Sequence, residues 1–197
     1  MASASPRRRD LLAGVGLEFE IKPSLDQEPK WELGQDPQKY ALELAKIKGH
    51  RVALENRESV VISADTIVVL DKEVLGKPAN KQEALKMLMK LSNRSHLVIT
   101  SFCIQCVELE LFELNSVTST VYMAAFSQEV LQAYVETGEG MDKAGSYAVQ
   151  GIGSFLVKRI EGSYTNVIGL PVTEVITSLL HANIIKVAVK RDEQCDD

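Results

Sequence analysis

The chain has 197 residues, 45% of them hydrophobic and 25% charged, which is the size and composition of one ordinary globular domain. Its net charge of −5 argues against the general attraction to phosphate that nucleic-acid-binding proteins use, although a local basic site is compatible with it. No stretch approaches the roughly 18 uncharged apolar residues that span a bilayer, and the N-terminus lacks the apolar core of a signal peptide. We therefore expect a cytoplasmic protein whose partners include neither nucleic acid nor membrane.

Two helices are each predicted to begin at a capping residue followed by proline. Ser5-Pro6 opens a short helix that stops near Gly14 and Gly16, and Asp36-Pro37 opens a second helix. Apolar residues recur at helical spacing in the second helix, and Lys48 lies at the edge of its buried side.

A buried strand is predicted from Val60 to Leu70, because this run is rich in β-branched residues. The polar segment Ser63-Ala64-Asp65-Thr66 interrupts it. A turn at 71–73 leads to a short second strand, and Asn80 with Glu83 forms a capping box for the next helix.

The second half of the chain is predicted to contain two long strands, a helix, a glycine-rich loop, a further strand and a last helix. In order, these are a strand from Ser95 to Leu114 with an internal break, a strand from Val117 to Phe126, a helix from Ser127 to Gly138, a loop from Gly138 to Gly153, a strand from Phe155 to Ile160 and a helix from Pro171 through Leu180. With no repeat or linker in view, we expect one mixed α/β domain over 1–190 and a charged tail over 191–197.

The cysteines predict neither a disulfide scaffold nor a zinc site. Cys103, Cys106 and Cys195 are too few and odd in number. Cys103 and Cys106 form a CxxC, but it lies in an apolar run and no second pair follows at zinc spacing. We expect this segment to be a strand.

Two segments combine residue types suited to phosphate chemistry. Ser3, Arg7 and Arg8 surround the start of a helix, where free N–H groups and guanidinium forks favour a polyphosphate; a solvated basic helix start is the alternative. Asp65 follows three apolar residues, so its carboxylate must be paired, metal-bound or turned toward a cleft. A carboxylate satisfied by backbone N–H groups is the alternative there.

Two further polar positions are candidates for ligand contacts. Lys77, between a glycine and a proline, is placed to meet a phosphate, although turn lysines are usually just exposed. Gln150 lies in the long glycine-rich loop and offers both a donor and an acceptor, which is what reading a pyrimidine edge requires. A solvated glutamine is the alternative reading.

Six blocks, taken in order, resemble the Maf family of nucleotide pyrophosphatases. The resemblance runs from Ala2 to about Leu180. The blocks are Ala2-Ser3-Ala4-Ser5-Pro6-Arg7-Arg8, Ala64-Asp65-Thr66, Leu75-Gly76-Lys77-Pro78, Asp142-Lys143-Ala144-Gly145-Ser146-Tyr147, Gln150-Gly151 and Asn166-Val167-Ile168-Gly169-Leu170-Pro171.

The resemblance implies a fold, an activity and a cofactor. The implied fold is an elongated mixed sheet flanked by helices, with a cleft between two lobes, similar to the inosine-triphosphate pyrophosphatase fold. The implied protein is a homodimer that hydrolyses nucleoside triphosphates with Mg²⁺ or Mn²⁺. Asp65 would activate water and ligate the metal, and the contacts to the triphosphate or its metal would be Ser3, Arg7, Arg8, Lys48 and Lys77.

The sequence departs from the family pattern in two places. The family has several apolar residues before its Ala-Ser block, whereas here Met1 precedes it, so we expect a shortened first strand. The family's acidic residue after Pro-Ser matches Glu28 only after a shift, and Glu28 is expected to serve the metal or phosphate site.

Three positions indicate the substrate. Arg7, Thr66 and Gln150 resemble the family type that prefers dTTP and UTP, whereas the type acting on 7-methyl-GTP carries tryptophan, glutamine and glutamate there. Two alternatives are a 7-methyl-GTP pyrophosphatase and a catalytically impaired nucleotide-binding regulatory homologue.

Overall fold

A computed structural model describes residues 1–186, which form a helix-flanked β-sheet. In chain order the elements are α1 (Pro6–Gly14), α2 (Pro37–Glu55), β1 (Val61–Leu70), β2 (Glu73–Leu75), α3 (Lys81–Leu91), β3 (Ser95–Cys106), β4 (Leu111–Met123), α4 (Gln128–Glu136), β5 (Val157–Glu161), α5 (Tyr164–Ile168) and α6 (Val172–His181). Within residues 1–186, none of the helices combines the length and apolarity that crossing a bilayer requires. The predicted tail at 191–197 and Cys195 lie outside the described residues.

The predicted fold class is confirmed, and the sheet has the order β2-β1-β3-β4-β5. Strands of mixed direction were expected, but every strand pairing in the described part of the chain is antiparallel. Tight turns explain two of these pairings. Asp71 and Lys72 have φ of 52° and 70°, as a two-residue turn between β1 and β2 requires, and residues 107–110 join β3 to β4. Beside β1, Ala2 N–H donates to Ile62 O (2.8 Å), without a strand forming there.

The predicted helix starts are confirmed. Asp36 caps α2, since its carboxylate accepts from Gln38 N at 2.9 Å and Lys39 N at 3.3 Å. Asn80 caps α3 by accepting from Glu83 N at 3.0 Å. At α1, the residue before the proline holds the cap position but makes no side-chain cap bond.

Two predicted boundaries in the second half were wrong, and one helix was missed. The internal break predicted in the run from Ser95 to Leu114 is the turn at 107–110, but residues 111–114 belong to β4, which continues to Met123 without a boundary between Leu114 and Val117. The strand predicted from Phe155 begins at Val157, since residues 152–156 form 3-10 turns. The short helix α5 carries no strong apolar period, so the sequence did not indicate it.

The strand interpretation of the CxxC is confirmed. Cys103 and Cys106 both lie on β3, are buried and carry free thiols. Burial raises the pKa of the Cys103 thiol to about 12, so this cysteine stays protonated at neutral pH. A protonated thiol is a poor zinc ligand.

Two hydrophobic clusters share the long strands β1 and β3. Val68 of β1 and its partner Val98 belong to a cluster with α3 and α4. Ala64 and its partner Phe102 belong to a cluster with α1 and α6. These clusters agree with the two lobes that the resemblance implies. On the same face of β1, Thr66 lies between them.

Candidate active site

A cavity of about 890 Å³ opens beside the first hydrophobic cluster, whose residues Val68, Leu75 and Val98 line it. It is bounded by the start of α1, the middle of β1, the turn after β2 and the loop at 139–151. All nine predicted site residues line it: Ser3, Arg7, Arg8, Glu28, Lys48, Asp65, Thr66, Lys77 and Gln150. Segments distant in the sequence are thus brought together around one space.

A cluster of two carboxylates and one ammonium group lies in this cavity. Asp65 is only 7% exposed, and its Oδ1 forms an ion pair with Lys48 Nζ of α2. Lys48 Nζ is also 3.1 Å from Glu28 Oε1. Within residues 1–186, Lys48 is the one hydrogen-bond partner of the Asp65 carboxylate. The second oxygen of Asp65 is therefore not engaged by another described group.

Arg8 connects three separate segments of the chain. Its Nε donates to Gly169 O (2.7 Å), Nη1 to Ser3 Oγ (3.3 Å) and Nη2 to Thr66 Oγ1 (3.0 Å). Burial lowers the pKa of Arg8, and the nearby Asp65 carboxylate opposes that effect. Arginine nonetheless stays charged in proteins, and its guanidinium has N–H donors left after these bonds.

A directed chain of hydrogen bonds extends from Arg8 into the sheet. Thr100 Oγ1 donates to Asn166 O at 2.9 Å and can therefore accept from Thr66 Oγ1, which lies 2.9 Å away. Thr66 accepts from Arg8, and its one proton has two acceptors in reach, Thr100 Oγ1 at 2.9 Å and Gly169 O at 3.3 Å. Thr100 was not predicted to support the site. The available signal was that Thr100 has a polar side chain within an apolar strand.

Arg7 and Lys77 make no ion pair or side-chain hydrogen bond within the part of the chain that the structure describes. Arg8 also lacks a carboxylate partner there, since its bonds go to neutral oxygens. The cavity therefore holds three cations that form no ion pair among residues 1–186, although the Asp65 carboxylate is near Arg8 and the Asp142 carboxylate is near Arg7. Such an arrangement attracts a polyanion, despite the net charge of −5 of the chain.

The glycine-rich loop forms the opposite wall of the cavity. Gln150 is exposed and has no hydrogen-bond partner within residues 1–186, whereas Tyr147 is buried. Lys143 bonds to Asp142 Oδ1 at 2.6 Å and to Glu139 O. Glu139 and Lys143 also line the cavity, and their local sequence gave no signal beyond membership of this loop.

The hydroxyl group of Tyr147 forms a hydrogen bond with a buried histidine. His96 Nε2 is 2.7 Å from Tyr147 Oη, and His96 Nδ1 is buried without a partner. Burial lowers the pKa of His96 to about 4 and raises the pKa of Tyr147. Both rings are therefore neutral at pH 7.

The fold and the cavity together define an α/β protein with a cleft that is lined by cationic side chains and contains a buried carboxylate. The chain belongs to the Maf family, because the family model described as Maf-like protein matches residues 1–182. The resemblance seen in the sequence is thus confirmed over nearly the whole chain.

Bacterial relatives of similar length share about two-fifths of their residues with this chain. A protein of Desulfotalea psychrophila is 42% identical over 188 residues, covering 95% of each chain. A protein of Nitratidesulfovibrio vulgaris is 44% identical over 185 residues, covering 94% of this chain and 88% of its own. One of Geobacter metallireducens is 44% identical over 180 residues, covering 91% and 93%. Each is named dTTP/UTP pyrophosphatase.

His96 is expected to make the protein sensitive to acid. Its pKa is about 4 in the folded protein and about 6.5 in the unfolded chain, so the unfolded chain takes up this proton first as the pH falls. The free energy of unfolding should fall by up to about 3 kcal/mol from this group between pH 6.5 and 4. Urea denaturation of His96→Gln should show a flatter pH dependence. The exposed His181→Gln serves as the control, and equal slopes in both variants would contradict the assignment.

Proposed function

We propose that the protein is a nucleoside triphosphate pyrophosphatase that hydrolyses dTTP and UTP to the monophosphate and pyrophosphate. One observation carries this proposal. A buried carboxylate, Asp65, lines the same cavity as Arg7 and Lys77, two cations that form no ion pair within residues 1–186. The names of the relatives, at 42% and 44% identity, support the same activity.

The polyphosphate would occupy the cationic wall of the cavity. Arg7 and Lys77 are available for phosphate oxygens, and the N-terminus of α1 adds free backbone N–H groups and a favourable dipole. Ser3 and Arg8 are bonded to each other, so Arg8 contributes charge at a fixed position. Charge that develops on the leaving pyrophosphate is stabilised by these groups without rearrangement.

Asp65 is proposed to act as the general base. In this step water attacks the α-phosphorus, the bond from that phosphorus to the bridging oxygen breaks, and pyrophosphate leaves with the bond electrons. The water proton passes to the Asp65 carboxylate. Lys48 holds that carboxylate in place through the ion pair, and Glu28 holds Lys48 from the other side.

The cavity residues fit a divalent cation of the Mg²⁺ or Mn²⁺ type. Within residues 1–186, no group of three or more histidine, cysteine, aspartate or glutamate residues is placed to hold a metal. Asp65 and Glu28 nevertheless offer hard oxygen ligands, and Mg²⁺ is commonly held by one or two carboxylates together with substrate phosphates. Bound there, the cation would polarise phosphoryl oxygens.

Nucleobase preference is proposed to depend on Gln150. A neutral amide donates to a pyrimidine carbonyl and accepts from the ring N–H, whereas a glutamate suits the donor-rich, positively charged edge of 7-methyl-guanine. Thr66 acts indirectly in this proposal, because its hydroxyl is engaged with Arg8 and Thr100.

Two functions compete with the proposed one. The first is a pyrophosphatase that prefers 7-methyl-GTP, and the second is an impaired regulatory homologue that binds nucleotides without turnover. We also propose a homodimer in the cytoplasm, which light scattering would test as a particle of twice the 21.7 kDa chain mass.

Asp65→Asn should lower kcat by at least about 100-fold while leaving the fold intact. An amide is nearly isosteric with the carboxylate but cannot accept the proton of the attacking water. Pyrophosphate release and thermal unfolding would be measured together. Asp71→Asn, in the exposed turn that follows the same strand, is the matched control, and a near-normal kcat in Asp65→Asn would exclude Asp65 as the base.

The adjacent arginines should differ in their effects. Arg7→Ala should raise KM for the triphosphate about tenfold or more without changing the free energy of unfolding, since its guanidinium has no described partner. Arg8→Ala should lower activity and also cost about 1–3 kcal/mol of stability, because Gly169 O and its other acceptors lose their donor. The exposed Arg9→Ala provides the control. Equal stability losses in Arg7→Ala and Arg8→Ala would contradict this division.

A substrate panel tests the proposed function directly. Pyrophosphate release from dTTP, UTP, 7-methyl-GTP and purine triphosphates would be measured with and without Mg²⁺. We expect kcat/KM for dTTP and UTP to exceed that for 7-methyl-GTP by roughly tenfold or more, and Gln150→Glu to reduce this ratio. Preference for 7-methyl-GTP would overturn the specificity, and nucleotide binding without turnover would support the impaired homologue.

A further inference from the structure

The segment 148–153, which carries Gln150, is bound by a carboxylate from the start of the same glycine-rich loop. Glu139 follows α4 and is half-buried. Its Oε1 accepts from Ile152 N at 2.9 Å, and its Oε2 accepts from Gly153 N at 2.7 Å. Both oxygens of one side chain are therefore used to bind two consecutive backbone amides.

Glu139 is itself held from two sides. Its N–H donates to Thr137 Oγ1 at 3.2 Å, and its carbonyl accepts from Lys143 Nζ. Thr137 ends α4, and Lys143 belongs to the same loop as Glu139, so these bonds connect Glu139 to the end of the helix and to the loop. They limit the movement of the carboxylate, which serves as a first fixed point for residues 148–153, as preorganisation of a binding loop requires.

A second fixed point lies on the other side of Gln150. Tyr134 of α4 accepts from Ala148 N through its hydroxyl at 3.2 Å. Burial, followed by the nearby Glu139 carboxylate, raises the pKa of Tyr134, so the phenol keeps its proton at neutral pH. Residues 148–153 are consequently held at both ends by side chains from one short stretch, 134–139.

The glycines of this segment permit the close approach. A Cβ added to Gly151 would lie 2.3 Å from Glu139 Oε1, and Gly151 has a φ of +73°. A Cβ added to Gly153 would lie 2.6 Å from Tyr134 Oη and 2.8 Å from Ala148 O. Any side chain at either position would displace the loop from its two fixed points.

Gln150 lies between these two fixed points without an anchor of its own. Its side chain has no hydrogen-bond partner within residues 1–186, so the backbone sets only the position from which the amide group reaches the cavity. A residue that selects a nucleobase must hold its donor and acceptor within about 0.5 Å of the required position. The backbone contribution to that precision comes from the bonds at 148 and at 152–153.

We propose that Glu139 and Tyr134 are positioning residues that fix the 148–153 loop and thereby set the nucleobase preference that Gln150 reads. The inference rests on the proposed function, in which Gln150 contacts the base. In this proposal, Glu139 contacts neither the phosphates nor the metal. Polyphosphate binding by the opposite wall of the cavity is therefore independent of it.

A kinetic double-mutant cycle between Glu139 and Gln150 tests the inference. Glu139→Gln keeps the shape of the side chain but replaces one acceptor oxygen with a donor NH₂, which cannot accept a backbone N–H. We expect kcat/KM for dTTP to fall about tenfold, mainly through KM, while inhibition by the product pyrophosphate is unchanged. Gln150→Ala should cost about tenfold in the native background and little more in Glu139→Gln. Additive losses, or weakened pyrophosphate inhibition, would overturn the proposal.

Two further variants separate positioning from general damage. Glu136→Gln makes the same chemical change on an exposed residue at the end of α4 and should leave the kinetics unaltered. Tyr134→Phe removes only the hydroxyl that accepts from Ala148 N, and should reduce the preference for dTTP over purine triphosphates in the same direction as Glu139→Gln. Tyr134→Phe with a native preference would remove Tyr134 from the proposal.

Amide hydrogen exchange gives a test that does not depend on turnover. In Glu139→Gln, the amides of Ile152 and Gly153 should exchange faster, while those of β1 stay protected. If these two amides in Glu139→Gln were as protected as in the unmodified protein, the inference that Glu139 holds the loop would be overturned. If the unmodified protein released no pyrophosphate from any triphosphate, the proposed function would fail on that result alone, and the exchange measurement would still decide whether Glu139 fixes the loop.

Discussion

A carboxylate in the middle of a buried strand is the constraint from which the rest of the site follows. Asp65 lies on β1, on the face where Val61 belongs to one hydrophobic cluster and Ile67 to another, and an isolated charge there would be very costly. The ion pair with Lys48 offsets that cost, and Glu28 forms a second ion pair with Lys48. Buried ion pairs of this kind contribute little net stability compared with apolar packing, and removal of one partner is expensive. Their position in a cationic cavity therefore favours a chemical purpose over a structural one.

Local sequence signals predicted the elements, and long-range contacts determined what was missed. The helix beginning at Pro37 was foreseen because its capping residue and proline act within one turn. A break in the run from Ser95 to Leu114 was also expected, but its position at 107–110 was not, since apolar residues continue on both sides of it and only strand pairing fixes where the chain reverses. Each predicted site residue lines the cavity, but Thr100 and Glu139 were not foreseen. Their importance depends on partners distant in the sequence or on backbone amides, which composition does not reveal.

Overall charge and local charge have opposite signs in this protein. The chain carries a net charge of −5, but most of its acidic side chains lie away from the cavity or are already paired within it. A polyanion approaching the protein meets Arg7 and Lys77 with their charges intact. The surrounding negative potential does not prevent binding at short range, because solvent and salt screen distant charges more strongly than adjacent ones. Bulk charge is thus a guide to nucleic-acid binding and a poor guide to nucleotide binding.

The bond from Arg8 to Gly169 joins residues 161 positions apart in the sequence. Loop-closure entropy makes such a contact slow to form, because nearly the entire chain must be ordered before it can be made. During synthesis at the ribosome, α1 and β1 emerge long before the segment that receives the guanidinium. The hydrogen-bonded chain through Thr66 and Thr100 ends at Asn166, so it also cannot be completed until that segment has been synthesised. Incomplete or partly folded chains accordingly contain Asp65 without the fixed arginine beside it, and the assembled centre exists only in the finished fold.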